Sequence, residues 1–485
     1  MFAVESSQQI VVVGAGISGL ACAYRLRQLG HHPLVLEATE RAGGVIATVR
    51  KGGFLFETGP QSPRFPAPVW QLVRELRLEG EFVAGNPKAK RYILWQGQLH
   101  VAPLSPASLI TTRLVGLKSK LRVLREAFGY TQPPNYEESL AAFVQRKFGT
   151  DVLENLVDPL IFTIFFGDAH KMGMQSAFPA LVEWERSHGS LVRGALRARK
   201  KSHNTDAESL PANSSAYLSP KSLRVTDALP ALGSFQSGMA ALPERLTEEL
   251  KAELCYGAEV ASIAVLPNEK SSPGFEWQIR LNGGEQISTR YLVLAVPAYI
   301  AARLLEVSFS ALASLLRAIA YAPICVVSSA YKRSDVAHTL DGFGFMVPRS
   351  EGLHTTCTFW NSSLFADRAP GGALVITSFA GRTLNAAVEA KNGDEYAQII
   401  GAENARILGI SAPPLERVVW RDSRALPQYN VGHAGRVAEI YDILRVLPNL
   451  RLIGNFLQGR SIGDCVQVAS CVAEDLHSQL LRCTI

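Results

Sequence analysis

An apolar run, Ile10 to Val13, leads straight into Gly14-x-Gly16-x-x-Gly19, and Ala, Leu and Tyr follow at helical spacing. Few local patterns restrict a chain more. A buried strand that turns sharply into a helix needs a residue free to take positive φ. It also needs bare backbone where helix and strand meet. Gly14 is read as the turn, Gly16 as the point where a diphosphate reaches the main chain, and Gly19 as the close helix–strand contact. Ala15, Ile17 and Ser18 complete the loop. The unpaired N–H groups of the helix start then face an anion. A second strand, "HPLVLEA", reaches Glu37, whose carboxylate suits ribose hydroxyls and disfavours a 2′-phosphate, hence NADP. The expected unit is a βαβ fold with a buried parallel sheet.

The remaining totals narrow the class. A chain of 485 residues with 47% hydrophobic and 19% charged residues supports a large core and several domains. The opening "MFAVESSQQ" lacks a basic segment followed by an apolar one, so no secretory signal is expected. The longest suspicious apolar run, "PLIFTIFFG", is about half the ~20 residues needed to span a bilayer. Seven scattered cysteines form no CxxC pair, which argues against a metal cluster or disulfide framework and fits a reducing cytoplasm.

The net charge of +6 is concentrated. Between Ile110 and Lys201 stand 14 Lys/Arg against 9 Asp/Glu, ending in "RGALRARKK". Either this is a solvated helix face, or it attracts anionic lipid or a carboxylate ligand. Nucleic acid is not expected, because no aromatics interleave with the basic residues.

Helical periodicity dominates from about residue 106 to 201. Residues 202–220, rich in Ser, Asn and Pro, read as a flexible insert. Beyond residue 232 the βα character returns, and "NLRLIGNFLQGRSIGDCVQVASCVAEDLHSQLL" reads as strand, glycine loop and long helix. The nucleotide domain is therefore expected to be discontinuous.

Downstream of Glu37 and Ala38, "ERAGGV" sets Arg41, Gly43, Gly44 and Val45 where an extended FAD diphosphate needs a second backbone approach. "ETGPQS" adds Gly59, Pro60, Gln61 and Ser62. With these motifs the chain resembles the flavin amine oxidase superfamily. "LIFTIFFGDAHKMGMQ", "SFQSGMAALPERL", "LDGFGFMVPRSEG", "SSLFADRAPGG", "WRDSRALPQYNVGH" and "IGNFLQGRSIGDCV" narrow the resemblance to the protoporphyrinogen/coproporphyrinogen III oxidase family, from Ile10 to about Leu480.

That resemblance implies an α/β (α+β overall) architecture: a Rossmann-like FAD domain (1–90, 232–300, 445–485), a mixed-sheet substrate domain (91–109, 301–444) and a helical membrane-associating domain (110–205). Further cofactor contacts would come from Val260, Trp420, Gly454, Arg460, Ser461 and Ile462. Substrate contacts would come from Arg91, Thr163, Met346, Phe359 and Phe379, with Arg91 taking a propionate. No acid/base pair emerges, so no catalytic residue is assigned, and Cys465 is not expected to bind flavin covalently. The implied reaction removes six electrons from protoporphyrinogen IX in three flavin cycles, with O₂ or another acceptor. Alternatives are coproporphyrinogen III oxidation, another enzyme of the superfamily, or an inactive flavin-binding scaffold. Expected partners are the porphyrinogen, a membrane surface touched peripherally on its cytoplasmic side, and a second copy of the chain. Two departures from the family pattern stand out. Thr163 occupies a usual glycine position, and Arg460 a usually small apolar one beside the flavin ring.

Overall fold

The structure, a computed structural model, describes residues 7–129, 132–202, 232–266, 276–381, 393–447 and 449–483. Residues 203–220 of the expected insert lie outside them. Two seven-stranded sheets organise the chain. In the first, the Ser7–Val13 strand is central. It pairs in parallel with Leu34–Leu36 on one side and Gln286–Leu294 on the other. The antiparallel strands Glu276–Leu281 and Val260–Leu266 extend that side, and Leu450–Leu452 pairs in parallel with Leu292–Leu294. Val11, Val12, Val35, Leu292 and Leu294 are fully buried or nearly so, as a sheet covered on both faces requires.

Helix Ile17–Gln28 crosses from the first strand, and the terminal helix Ile462–Cys483 packs along it. Helices Ala298–Leu305, Ser310–Arg317 and His433–Arg445 bury their apolar faces in this same core. The substrate-domain boundary read from sequence, 301–444, thus runs long at both ends. The apolar faces of these flanking helices have no other sheet to cover.

The second sheet runs Glu416–Pro427, Tyr321–Lys332, Ala373–Ala380, Thr355–Phe359, Gly344–Met346, Arg91–Trp95 and Gln98–Val101. Apart from the parallel pair Arg91–Trp95 and Gly344–Met346, neighbours are antiparallel. Its inner face merges with the helical region, since Ile93, Ile324, Met346, Cys357 and Phe379 share one core with Phe143, Ile161, Phe165 and Met172. Arg349 fastens the two layers, donating to Asp158 at 3.0 Å and to Asp168 at 2.7 Å. No described helix is long and apolar enough to cross a membrane.

Candidate active site

The glycine turn behaves as its spacing demands. Gly14 has φ +101°, and a Cβ there would sit 2.8 Å from the Ala295 carbonyl oxygen. At Gly19 a Cβ would fall 1.9 Å from the Gly14 carbonyl oxygen. A Cβ on Gly16, by contrast, would meet nothing within 4 Å. The first and third glycines are fixed by packing, while the second opens onto free space at the start of Ile17–Gln28. That helix has no side-chain cap, so its N–H groups remain available to an anion.

The second glycine loop closes over the first. Gly43 N–H donates to the Ala15 carbonyl at 2.8 Å. Arg41 donates to the carbonyls of Ala42 (3.0 Å), Ile46 (3.2 Å) and Gly44 (2.6 Å). Its guanidinium holds the loop in shape, where the sequence had suggested a diphosphate contact. Glu37 accepts from Ala15 N–H at 2.9 Å and from Thr39 N–H at 3.0 Å. It therefore links the end of the second strand to the turn. Val260 is buried in the first core, so its side chain offers nothing to a ligand. Exposed Ala38 and half-exposed Val45 flank the loops.

A cavity of about 1760 Å³ lies between the sheets. Single-ligand pockets run about 300–1,000 Å³, so this one has room for a cofactor ring and a second flat body. Val45, Gly59, Pro60, Gln61, Ser62, Arg460, Ser461 and Ile462 line one part, and Trp420 joins them from the second sheet. Gly454 is not on this wall. Its φ of +149° ends the Leu450–Leu452 strand, and Tyr429 Oη reaches the next carbonyl, Asn455, at 2.8 Å.

The lining of the same cavity includes Arg91, Thr163, Met346, Phe359 and Phe379, so the structure brings all five expected substrate residues to one space. Met346 and Phe379 also belong to the helical core. The rings form a connected wall: Phe343–Phe359 centroids lie 5.4 Å apart, Phe359–Phe379 5.5 Å and Phe166–Phe379 5.2 Å. The Thr163 hydroxyl donates to the Pro159 carbonyl at 2.8 Å, inside its own helix, so its hydrogen is engaged and it can offer the cavity only an acceptor. The Arg91 guanidinium lies 5.0 Å from the Phe343 centroid.

Arg460 is the most unusual member. It stacks over Phe165 at 3.2 Å and Tyr429 at 4.5 Å, and one terminal nitrogen is buried without a hydrogen-bond partner. Burial pushes its guanidinium down to about 10. A buried donor without an acceptor is a costly arrangement unless a ligand supplies one. Beside it, burial raises the Cys465 thiol to about 11 and so keeps it protonated.

Some contributors escaped the sequence reading. Glu57, 2% exposed, accepts from Met239 N–H at 2.9 Å and Thr48 Oγ1 at 2.7 Å, fastening the "ETGPQS" loop to "SGM". Burial raises its carboxyl above the usual range. A carboxylate directly after the apolar run "FLF", in a strand buried throughout, was the available signal. Phe166 takes a left-handed φ of 48° at its helix end and turns the chain beside the cavity. Its signal in the sequence is the apolar run "FTIFFGD", where Phe165 and Phe166 add to the departure at Thr163; its left-handed turn is not marked there.

A family model described as flavin containing amine oxidoreductase matches residues 17–477. The chain belongs to that family. Its cofactor is the flavin FAD, and the open Gly16 turn, the second glycine loop and the orphaned Arg460 donor are consistent with that group. Among this flavoprotein's relatives is the chloroplastic protoporphyrinogen oxidase of Nicotiana tabacum, 30% identical over 484 residues, covering 97% of this chain and 86% of the relative. The coproporphyrinogen III oxidase of Bacillus subtilis is 26% identical over 497 residues, covering 98% and 99%. The fold also matches a solved structure from Exiguobacterium (TM-score 0.78, 23% identity, 97% and 99% coverage). A putrescine oxidase structure matches at TM-score 0.68 and 16% identity, covering 98% and 99%.

Proposed function

We propose that this flavoprotein oxidises protoporphyrinogen IX to protoporphyrin IX. The observation that carries the reading is the single cavity in which the glycine loops face an apolar aromatic wall with a cation beside it. Six electrons and six hydrogens leave the substrate in three turns, and three O₂ become three H₂O₂. Bound FAD supplies the hydride-accepting ring. Phe343, Phe359, Phe379 and Met346 hold a flat macrocycle and exclude water, while Arg91 takes a carboxylate bidentately. Arg460 would hold a positive charge beside the bound flavin, with its unpaired terminal nitrogen free to donate to it. The cavity wall offers no acid/base pair among the described residues. Gly14–Gly19, Glu37 and the Arg41-ordered loop seat the dinucleotide. Cys465, protonated, leaves the cofactor non-covalently bound.

Incubating the FAD-loaded protein with protoporphyrinogen IX in air should produce porphyrin fluorescence above autoxidation, with three H₂O₂ per porphyrin. No stimulation despite bound FAD would refute the reading. The same assay with coproporphyrinogen III tests the runner-up.

We further infer peripheral attachment to an anionic membrane face. On helix Leu117–Phe128, Leu117, Leu121, Leu124 and Phe128 form one exposed stripe, the last 86% exposed, among Lys118, Lys120, Arg122 and Arg125. Leu196, on the neighbouring helix, is also exposed. Such a face lies in an interface without spanning it. Co-sedimentation with phosphatidylglycerol vesicles should be strong and should fall on Leu121→Asp. Equal sedimentation of both proteins would exclude this surface.

A further inference from the structure

The guanidinium of Arg460 rests over two aromatic rings from different parts of the fold. Phe165 ends the helix Asp158–Phe165 of the helical region, and Tyr429 follows the Glu416–Pro427 strand of the second sheet. Arg460 itself comes from the loop before the terminal helix. A cation held by ring faces keeps its N–H groups free to donate. One terminal nitrogen of Arg460 is accordingly buried without a partner. Such a contact places a charge only where both rings are fixed.

Tyr429 is fixed on its own account. Its hydroxyl donates to the Asn455 carbonyl at 2.8 Å, and its ring stacks on His433. Phe165 stands where its helix stops, because Phe166 leaves the helix in a left-handed turn with φ 48°. Of the five non-glycine residues with positive φ among those described, Phe166 alone lines the cavity. A bulky residue in that conformation is strained and persists only where its surroundings impose it. Gln428 is the neighbour that does so. This buried side chain precedes Tyr429, and its Nε2 donates to the carbonyls of Phe165 and Leu426, each at 3.1 Å. Its Oε1 occupies the space beside Gly167, where an added Cβ would come within 2.3 Å of it. One amide thus engages both residues that flank Phe166.

We propose that Gln428 is a positioning residue for Arg460. Its amide ties the end of helix Asp158–Phe165 to the segment that carries Tyr429. The Phe165 and Tyr429 rings then close on the guanidinium and hold its unpaired nitrogen at the cavity wall. Without the donor, Phe166 relaxes from its left-handed turn and the Phe165 ring moves off the charge. The role rests on Arg460 standing beside bound FAD and is independent of which substrate is oxidised.

The test is sulfite titration of the FAD-loaded protein, followed by flavin absorbance, since the adduct gains from a nearby positive charge. Gln428→Leu keeps the volume and removes the donor. It should weaken sulfite binding about three- to tenfold, in the same direction as Arg460→Met. Gly167→Ala displaces the same amide from its other side and should reproduce the loss, so the comparison survives if Gln428→Leu does not fold. In an Arg460→Met background neither change should weaken sulfite binding further, because the charge to be positioned is gone. Unchanged affinity in a folded Gln428→Leu or Gly167→Ala protein would overturn the proposal. So would an equal loss with and without Arg460, which would make Gln428 a general support of the fold. If Arg460→Met alone leaves sulfite binding unchanged, the charge does not stand beside the flavin and the positioning role falls with it, whereas porphyrin formation in air would still uphold the oxidase reading.

Discussion

Asn361 Nδ2 donates to Gln61 Oε1 at 2.7 Å, with both side chains buried. Gln61 belongs to the Gly59–Ser62 loop lining the cavity and Asn361 to the short helix after the Thr355–Phe359 strand. Gln61 Nε2 in turn donates to the Glu57 and Gly59 carbonyls. One amide pair thus ties the Gly59–Ser62 loop to the sheet that carries the aromatic residues of the cavity. Asn361→Leu leaves a buried oxygen without its donor and should destabilise the protein by about 1–3 kcal/mol. It should also lower turnover more than it changes KM. Urea unfolding and steady-state kinetics measure the two effects. A variant with wild-type stability and turnover would remove this role.

The three glycines of the turn should respond differently to alanine. Gly16→Ala meets no atom within 4 Å and should fold normally while losing FAD affinity. Gly14→Ala and Gly19→Ala collide with the Ala295 and Gly14 carbonyls and should fail at the level of folding. Far-UV circular dichroism of the apoproteins, beside flavin content, separates the cases. A well-folded Gly19→Ala would contradict the packing.

His433 gives the fold an acid-side weakness. It stacks on Tyr429 at 4.3 Å, is 2% exposed, and burial pushes its imidazole from 6.5 down to about 4. The folded state therefore binds the proton less readily than the unfolded state. Stability should be full above pH 6.5 and fall as pH drops toward 4, by up to about 3 kcal/mol. His433→Phe should flatten that slope in denaturation measured across the window. An unchanged slope would assign the acid sensitivity elsewhere.

Arg460→Met separates cofactor tuning from folding. With the guanidinium held down near 10, its charge opposes folding at neutral pH. The apoprotein should be unaffected or up to about 2 kcal/mol more stable in the variant. With FAD bound, the flavin reduction potential should fall and the affinity of its sulfite adduct should drop. Dye-equilibrated potentiometry reads this directly. An unchanged potential would place the charge away from the ring.

Much of this arrangement was legible in the chain. Gly14, Gly16 and Gly19 mark a local turn, and local geometry is written in local spacing. The family-like stretches then brought Arg91, Met346, Phe359 and Phe379 to one cavity. What stayed hidden was pairing across distance. Arg41 could be read as an anion ligand because nothing in "ERAGGV" shows that its own loop carbonyls take the guanidinium. Asn361 gave no local signal, since its partner lies 300 residues earlier.

The first sheet has a consequence for how the protein comes into being. Its central strand, Ser7–Val13, is made before either flanking partner on that side. The strand Gln286–Leu294 follows about 270 residues later, and Leu450–Leu452 with the helix Ile462–Cys483 later still. The glycine turn is thus synthesised long before the helix that packs along its own helix. A chain stalled before residue 450 therefore leaves the Leu292–Leu294 end of the mid-chain strand as an unpaired sheet edge, a target for chaperones and proteases.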